Sequence, residues 1–397
     1  MSHTHTQIPL GDMPVETFLS EYWQKKPLLV KQAFPNFKTP ISPDELAGLA
    51  CEEEINSRIV IEKGGDHPWQ AIHGPMDDKV FAKMPDTHWT LVVNDLEKCI
   101  PELAWITDQF RFIPEWHLDD LMSSWAAPEG SVGPHIDLYD VFILQGEGQR
   151  RWQISTASVA EDNVIPNIAL RLQKDFKPEF EWILEAGDMM YLPAGVSHHG
   201  ISIGESSSYS IGFRATSHTD LVNDFIAHLT DNLSIKKTYH LPKEALNTDP
   251  NEISPAAIEE MRAVFREYLN PESPELARWF GQFVSDSKID YLNDCEQPID
   301  SLEQLRQRLK HKKAEGEVLL RHPASRFAFT QRPTIKGHSD KKVWLFVDGQ
   351  DYKVSEIFAK TLCSHRQVVL DALINIASSD EQDFIVNLYN AGKLYLG

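Results

Sequence analysis

The chain reads as an α+β protein: a double-stranded β-helix of the jelly-roll type, then a helical region, then a mixed module resembling a winged helix. Three observations lead there. Between about 120 and 214, short runs rich in β-branched and aromatic residues are punctuated by Gly and Pro, which suits a jelly roll. From 218 the apolar spacing turns helical, with Leu221, Val222, Phe225, Ile226 and Leu229 on one face. Beyond about 298, helical stretches flank a hairpin whose turn is Asp348-Gly349. The expected divisions are 1–216, 217–290 and 291–397. The length of 397 residues suits two or three domains, and the apolar fraction of 42% is enough for real cores.

In order, residues 14–34 predict a short helix ending near Lys25-Lys26, then Pro27 and an extended Leu28-Leu29-Val30. Ser42-Pro43 is a helix start, with Ser as N-cap and Pro in the first turn. Arg58–Lys63 and Trp89–Val93 are strand-like by their β-branched content, and Pro101–Phe110 is helical. Leu118–Trp125 leads into a strand whose Ser124 faces the interior pocket. Gly133–Gln145 starts with a His and an Asp and continues as a strand. Gly146-Glu147-Gly148 is a tight turn into Gln149–Ile154. Two further helices start at Asn251, with Ser254 as cap, and at Ser273. Tyr268, Trp279, Phe280 and Phe283 are either core or an isologous dimer surface. Ser301–Lys313 is a helix and Leu319–Thr330 holds strand pieces. After the 342–354 hairpin, two helices reach about Asn390, and Lys393–Leu396 adds an edge strand. Helices with a hairpin suggest DNA binding. Against it, this half is rich in carboxylates, and Lys310, His311, Lys312 and Lys313 make only one short basic cluster. Protein recognition or scaffolding is the expected role.

The net charge of −21 argues against direct nucleic-acid binding and favours a basic protein partner. Cys51, Cys99, Cys295 and Cys363 are widely spaced, with no C-x-x-C, and read as thiols in a reducing compartment. No signal peptide or long apolar span is evident. A cytoplasmic protein without a membrane partner is expected.

The chemistry-bearing stretch is Gly133-Pro134-His135-Ile136-Asp137. On a strand, positions i and i+2 share a face, so His135 and Asp137 can reach one ion. A later strand ends in a Pro193–Gly195 turn and delivers His198 and His199, of which only one can point inward. Two imidazoles and one carboxylate on one side of an octahedral metal make the facial triad of non-haem Fe(II) oxygenases. Arg150 shares a strand face with Trp152 and Ile154. A cation there needs an anion: a dicarboxylate co-substrate or an internal carboxylate. Asp119 and Asp140 are candidates to hold a basic substrate group or to cap turns, and Tyr139 either stacks on that group or packs.

Several motifs together resemble the JmjC/cupin-type 2-oxoglutarate oxygenases, above all the bacterial ribosomal oxygenase branch. They are the H-x-D, the Arg on the following strand, Pro193-Ala194-Gly195-Val196-Ser197-His198 and the closing Tyr209–Arg214. Phe18–Val30 and Asp119–Met122 match that branch too, so the resemblance covers the whole chain. It implies Fe(II) on His135, Asp137 and His198, the last five residues after the turn proline. It also implies 2-oxoglutarate with its far carboxylate on Arg150, with Ser124 as a second contact, and O2 as the other co-substrate. The implied substrate is an arginine β-carbon on a large-subunit (50S) ribosomal protein, and the implied state is a homodimer through the helices. Other branches hydroxylate His or Asn or demethylate Lys. An isomerase-like cupin and a non-catalytic metal-binding module are the competing readings.

Overall fold

The computed structural model describes residues 8–65, 68–232, 238–247, 249–287, 297–311, 318–330 and 342–397. Its first half is built on two facing antiparallel sheets. The chain enters through α1 (Val15–Glu21), β1 (Leu28–Val30) and α2 (Pro43–Leu49). The α2 start is a full capping box: Ser42 Oγ accepts from the Glu45 amide, and Glu45 accepts from the Ser42 amide. Next come β2 (Ser57–Glu62), β3 (Trp69–His73), α3 (Asp78–Phe81), β4 (Trp89–Val93), α4 (Leu96–Cys99) and α5 (Ala104–Asp108). The strands that follow are β5 (Leu118–Ala126), β6 (His135–Ile136), β7 (Val141–Gln145), β8 (Gln149–Ser155), β9 (Phe180–Glu185), β10 (Met189–Leu192), β11 (Ser197–Ile203) and β12 (Ser206–Phe213).

The large sheet runs β1-β10-β7-β12-β5-β4-β2-β3 and the small one β6-β11-β8-β9. Side-chain alternation assigns each layer. Phe142 and Leu144 of β7 pack outward with Phe18, Tyr191 and the helices, while Val141 and Ile143 point between the sheets with Trp152, Ile154 and Leu184. With both faces covered, β7 is buried throughout. The stretch expected as one strand from Gly133 to Gln145 is broken. β6 has two residues and belongs to the small sheet, Asp137 lies past its end, and β7 belongs to the large sheet. The physical reason is that the chain crosses between sheets here, so no single ladder can hold it.

The second half contains α6 (His218–Asn232), α7 (Pro255–Tyr268), α8 (Pro274–Ser285) and α9 (Leu302–His311). It continues with β13 (Val318–Arg321), β14 (Phe327–Phe329), β15 (Lys342–Val347), β16 (Gln350–Ser355), α10 (Glu356–Ser364), β17 (Gln367–Val369), α11 (Leu370–Ile374), α12 (Ser379–Asn390) and β18 (Leu394–Leu396). The helix expected from Asn251 begins at Pro255, just after its Ser254 cap. The region after the hairpin holds three helices rather than two, because β17 interrupts them. The hairpin turn has Asp348 at φ 48° and Gly349 at φ 76°, the double left-handed geometry that Asp-Gly accommodates. β18 lies at the edge of the β17-β13-β18 sheet. Trp279 is buried, Tyr268 and Phe283 are half-buried and Phe280 is exposed. α8 packs on the hairpin, where Gly281 leaves room for the Phe346 ring. Of the expected basic cluster, Lys312 and Lys313 fall outside the described residues, as does Cys295.

An ionic seam joins the two halves. Arg321, 1% exposed, reaches Glu115 at 2.9 Å, and Arg111 meets the same carboxylate at 2.8 Å. Arg366 pairs with Asp108 at 3.0 Å. Burial pushes the Glu115 carboxyl up, but Arg321 and then Arg111 outweigh it and hold it below the ordinary range. Its contribution is therefore complete above the unfolded value of about 4.3 and fades as pH falls through the lower folded value. Glu115→Ala leaves two guanidiniums uncompensated and is expected to cost about 3 kcal/mol at neutral pH in denaturant melts, with a smaller difference in acid. A cost below about 1 kcal/mol, unchanged with pH, would mean that the seam contributes nothing of this kind.

Candidate metal centre and co-substrate pocket

His135 and His198 are cross-strand partners on β6 and β11, so their rings stand side by side with centroids 4.2 Å apart. Asp137 follows β6 in a loop pinned by the Gly195 amide, which donates to the Asp137 carbonyl at 2.8 Å. Its carboxylate lies 3.7 Å from His135 Nε2 and 3.5 Å from His198 Nε2. One donor atom from each of the three falls within 4.8 Å of the others. Cis ligands of an octahedral ion bound at about 2.1 Å lie about 3 Å apart, so only a small approach is needed. Both Nδ1 atoms face backbone carbonyls, Gly133 O at 2.9 Å and Val196 O at 3.0 Å. A carbonyl only accepts, so each Nδ1 carries the hydrogen and each Nε2 offers its lone pair inward. Burial, then the neighbouring His135, pushes His198 down to about 4, so it is neutral and free to bind a metal. This donor set fits a divalent metal. His199 lies on the opposite face of β11, edge-on to Phe176, and is not in the cluster.

Arg150 is 5% exposed on the inner face of β8 with Trp152 and Ile154. Its guanidinium donates to Ser124 Oγ at 2.9 Å, Ser208 Oγ at 2.8 Å and Ser206 Oγ at 3.2 Å. Among the described residues it has no carboxylate partner, so the internal ion pair is not what balances it. Burial lowers it to about 10, and it stays charged at neutral pH. Three hydroxyls solvate this cation but do not neutralise it. Ser124, placed by strand alternation, sits where the sequence puts it.

The triad, Arg150 and Ser124 line one cavity of about 690 Å³, counting its open mouth, between the two sheets. Tyr139 is in its wall, and burial, with Asp137 beside it, pushes the phenol well above its ordinary value. The acids proposed from sequence for a basic substrate group are engaged elsewhere. Asp119 faces Arg214 at 3.6 Å and Arg326 at 3.3 Å. Asp140 is buried against the Tyr191 hydroxyl and Gln24. An acid that the sequence reading did not single out is Asp120. It shares a strand face with Met122 and Ser124, and with Tyr139 it flanks the bare Cα of Gly212. Burial, then Asp95, raises its carboxyl to about 6, and no described cation pairs with it. The signal was available: Asp119 and Asp120 alternate, so only one can face inward.

The JmjC domain family model matches residues 105–221. The chain is 34% identical over 304 residues to the ribosomal protein uL16 3-hydroxylase of Escherichia coli, covering 77% of this chain and 79% of that one. It is similar to the X-ray structure of E. coli YcfD, with a TM-score of 0.83 and 30% identity over 97% of this chain and 98% of that one. Another structure of that protein, at a TM-score of 0.79 with the same identity and coverage, holds cobalt and 2-oxoglutarate.

Proposed function

The chain belongs to the JmjC-domain ribosomal oxygenase family, and from that membership we propose that it hydroxylates an arginine β-carbon of a large-subunit ribosomal protein. It is a 2-oxoglutarate-dependent oxygenase with the donor set of an Fe(II) centre. When bound, Fe(II) with O2 supplies the oxidising power that turns 2-oxoglutarate into succinate and CO2 and puts one oxygen atom into a C–H bond. In this reading His135, Asp137 and His198 hold the metal through two Nε2 atoms and a carboxylate. Arg150, steadied by Ser124, holds the far carboxylate of 2-oxoglutarate and so aims its keto-acid end at the triad. The apolar wall of Val141, Ile143 and Trp152 keeps bulk water out.

One observation carries this reading: a charged guanidinium, buried and with no carboxylate partner among the described residues, lines the cavity that also holds the triad. Asp120, which flanks Gly212 together with the cavity residue Tyr139, is the group proposed to take the client's guanidinium. Intact masses of ribosomal proteins from cells with and without the gene are expected to differ by one oxygen atom on a single large-subunit protein. The Asp120→Asn variant is expected to restore the lighter mass while still binding 2-oxoglutarate. No mass change in any ribosomal protein would remove the client assignment.

We also propose a homodimer formed through the helices. Val222 and Ile226 of α6, and Ile258, Met261 and Phe265 of α7, are exposed at helical spacing. Phe265→Glu is expected to give a monomer in analytical ultracentrifugation, and an unchanged mass would exclude this face. The division into 1–216, 217–290 and 291–397 and the winged-helix character of the last part belong to the same reading. The last part is taken as a protein-binding or scaffolding module. Arg306, on α9, is turned to Asp371 at 2.7 Å, which leaves little of a basic recognition face. Retention of duplex DNA on a filter at physiological salt would overturn that. No helix among the described residues is long and apolar enough to cross a membrane, and the cytoplasm, where the client is made, is the proposed location.

A further inference from the structure

We propose that Arg58 is the second anchor of the co-substrate pocket, its guanidinium taking the carboxylate at the keto-acid end of a short diacid whose far end lies on Arg150. The inference rests on the reading of the cavity as a 2-oxoglutarate site. Arg58 lies on β2, outside the strands that carry the triad. It is half-buried and lines the same cavity as Asp137 and Tyr139. Among the described residues its side chain makes no hydrogen bond and no ion pair.

The sheet register sets its reach. Arg58 pairs with Val92, Val92 with Ser124 and Ser124 with Ser208, one row across four strands. Directly paired residues point to the same face, so Arg58 enters the cavity in the row whose hydroxyls hold Arg150. Two strand spacings, about 10 Å, separate the backbones at Arg58 and Ser124. Arg58 enters from the large sheet and Arg150 from the small one, so the two guanidiniums reach one cavity from opposite layers.

Two orphaned donors mark the same path. Among the described residues, Thr90 Oγ1 and Trp152 Nε1 are buried without a partner, and both residues line the cavity. The Trp152 ring lies 5.9 Å from the Arg150 guanidinium and 5.9 Å from the His198 ring, bridging the two ends. Gly200 permits this, since a Cβ there would stand 2.7 Å from the indole. A cavity lined by two guanidiniums and by unpartnered donors suits a ligand carrying acceptors at both ends. A monoanion leaves one cation without a counter-charge, at a desolvation cost. A client arginine entering later adds a further positive charge, which makes neutralising Arg58 first more favourable.

Binding of 2-oxoglutarate and of 2-oxopentanoate, which lacks the far carboxylate, is measured by calorimetry on the cobalt-loaded full chain without client. Arg58→Ala is expected to weaken both ligands at least about tenfold, since both carry the keto-acid end. Arg150→Met is expected to weaken 2-oxoglutarate alone. Arg58→Lys, which keeps the charge, is expected to fall between, and it decides the matter if Arg58→Ala fails to fold. Unchanged binding of both ligands in the Arg58 variants overturns the inference. So does a rise in client KM with both ligands unaffected, which makes Arg58 a client contact. If Arg150→Met also leaves 2-oxoglutarate binding unchanged, the reading of the pocket itself fails.

Discussion

Asp137→Ala is expected to abolish metal-dependent turnover and to weaken divalent metal binding at least about 100-fold. Asp137 is the only anionic donor of the cluster, and the two imidazoles supply neutral lone pairs. Removing it leaves a two-nitrogen site without charge compensation for a divalent ion. The metal-free protein is expected to melt almost unchanged, because the carboxylate is part exposed and its loss opens no core cavity. The metal-induced stabilisation, about 2.7 kcal/mol when the ion is present at 100 times its Kd, is expected to vanish. Thermal melts with and without Fe(II) or Co(II) measure both quantities. A variant that keeps its metal-induced shift would show that the ion binds elsewhere.

Arg150→Met is the second large effect, and its two readouts move apart. Two charge-assisted hydrogen bonds to a carboxylate are worth about 1.5–3 kcal/mol each, so 2-oxoglutarate is expected to bind at least about 100-fold more weakly. Stability is expected to hold or to rise. Among the described residues the buried guanidinium has no carboxylate partner, so its desolvation cost is offset only by hydroxyls. The hydroxyls it leaves behind have other partners: Ser124 with Ser208 at 2.9 Å, and Ser202 with Ser206 at 2.7 Å. Methionine fills a similar volume with apolar atoms. A large fall in melting temperature with unaltered co-substrate binding would make Arg150 a structural plug and remove the strongest support for the oxygenase chemistry.

Local signals in the sequence carried well into the structure. The Ser42, Ser254 and Ser273 caps, the Asp348-Gly349 hairpin and the inner face shared by Arg150, Trp152 and Ile154 all depend on neighbours a few residues away. The surroundings of the acids near the cavity were not legible. Asp119, Asp120 and Asp140 are equivalent as residue types, and only the packing shows that Arg214 and Arg326 claim the first while Tyr191 and Gln24 claim the third. Arg58 gave no signal either, because its strand reaches the cavity only through the pairing of β2 with β4 and β4 with β5.

By itself the sequence determined the chemistry on offer: two imidazoles, a carboxylate and an inward arginine, on segments whose period and turn residues dictate their local form. Tertiary structure alone decided which of these meet. His135 and His198 are 63 positions apart in the chain and become neighbours through one antiparallel register. Asp137 joins them because the chain leaves one sheet for the other at that point. Residue type and local backbone preference act over a few positions, whereas strand order is set by the burial of two whole faces at once. The donor set was therefore legible in the residues themselves, and its assembly into a site only through the family resemblance.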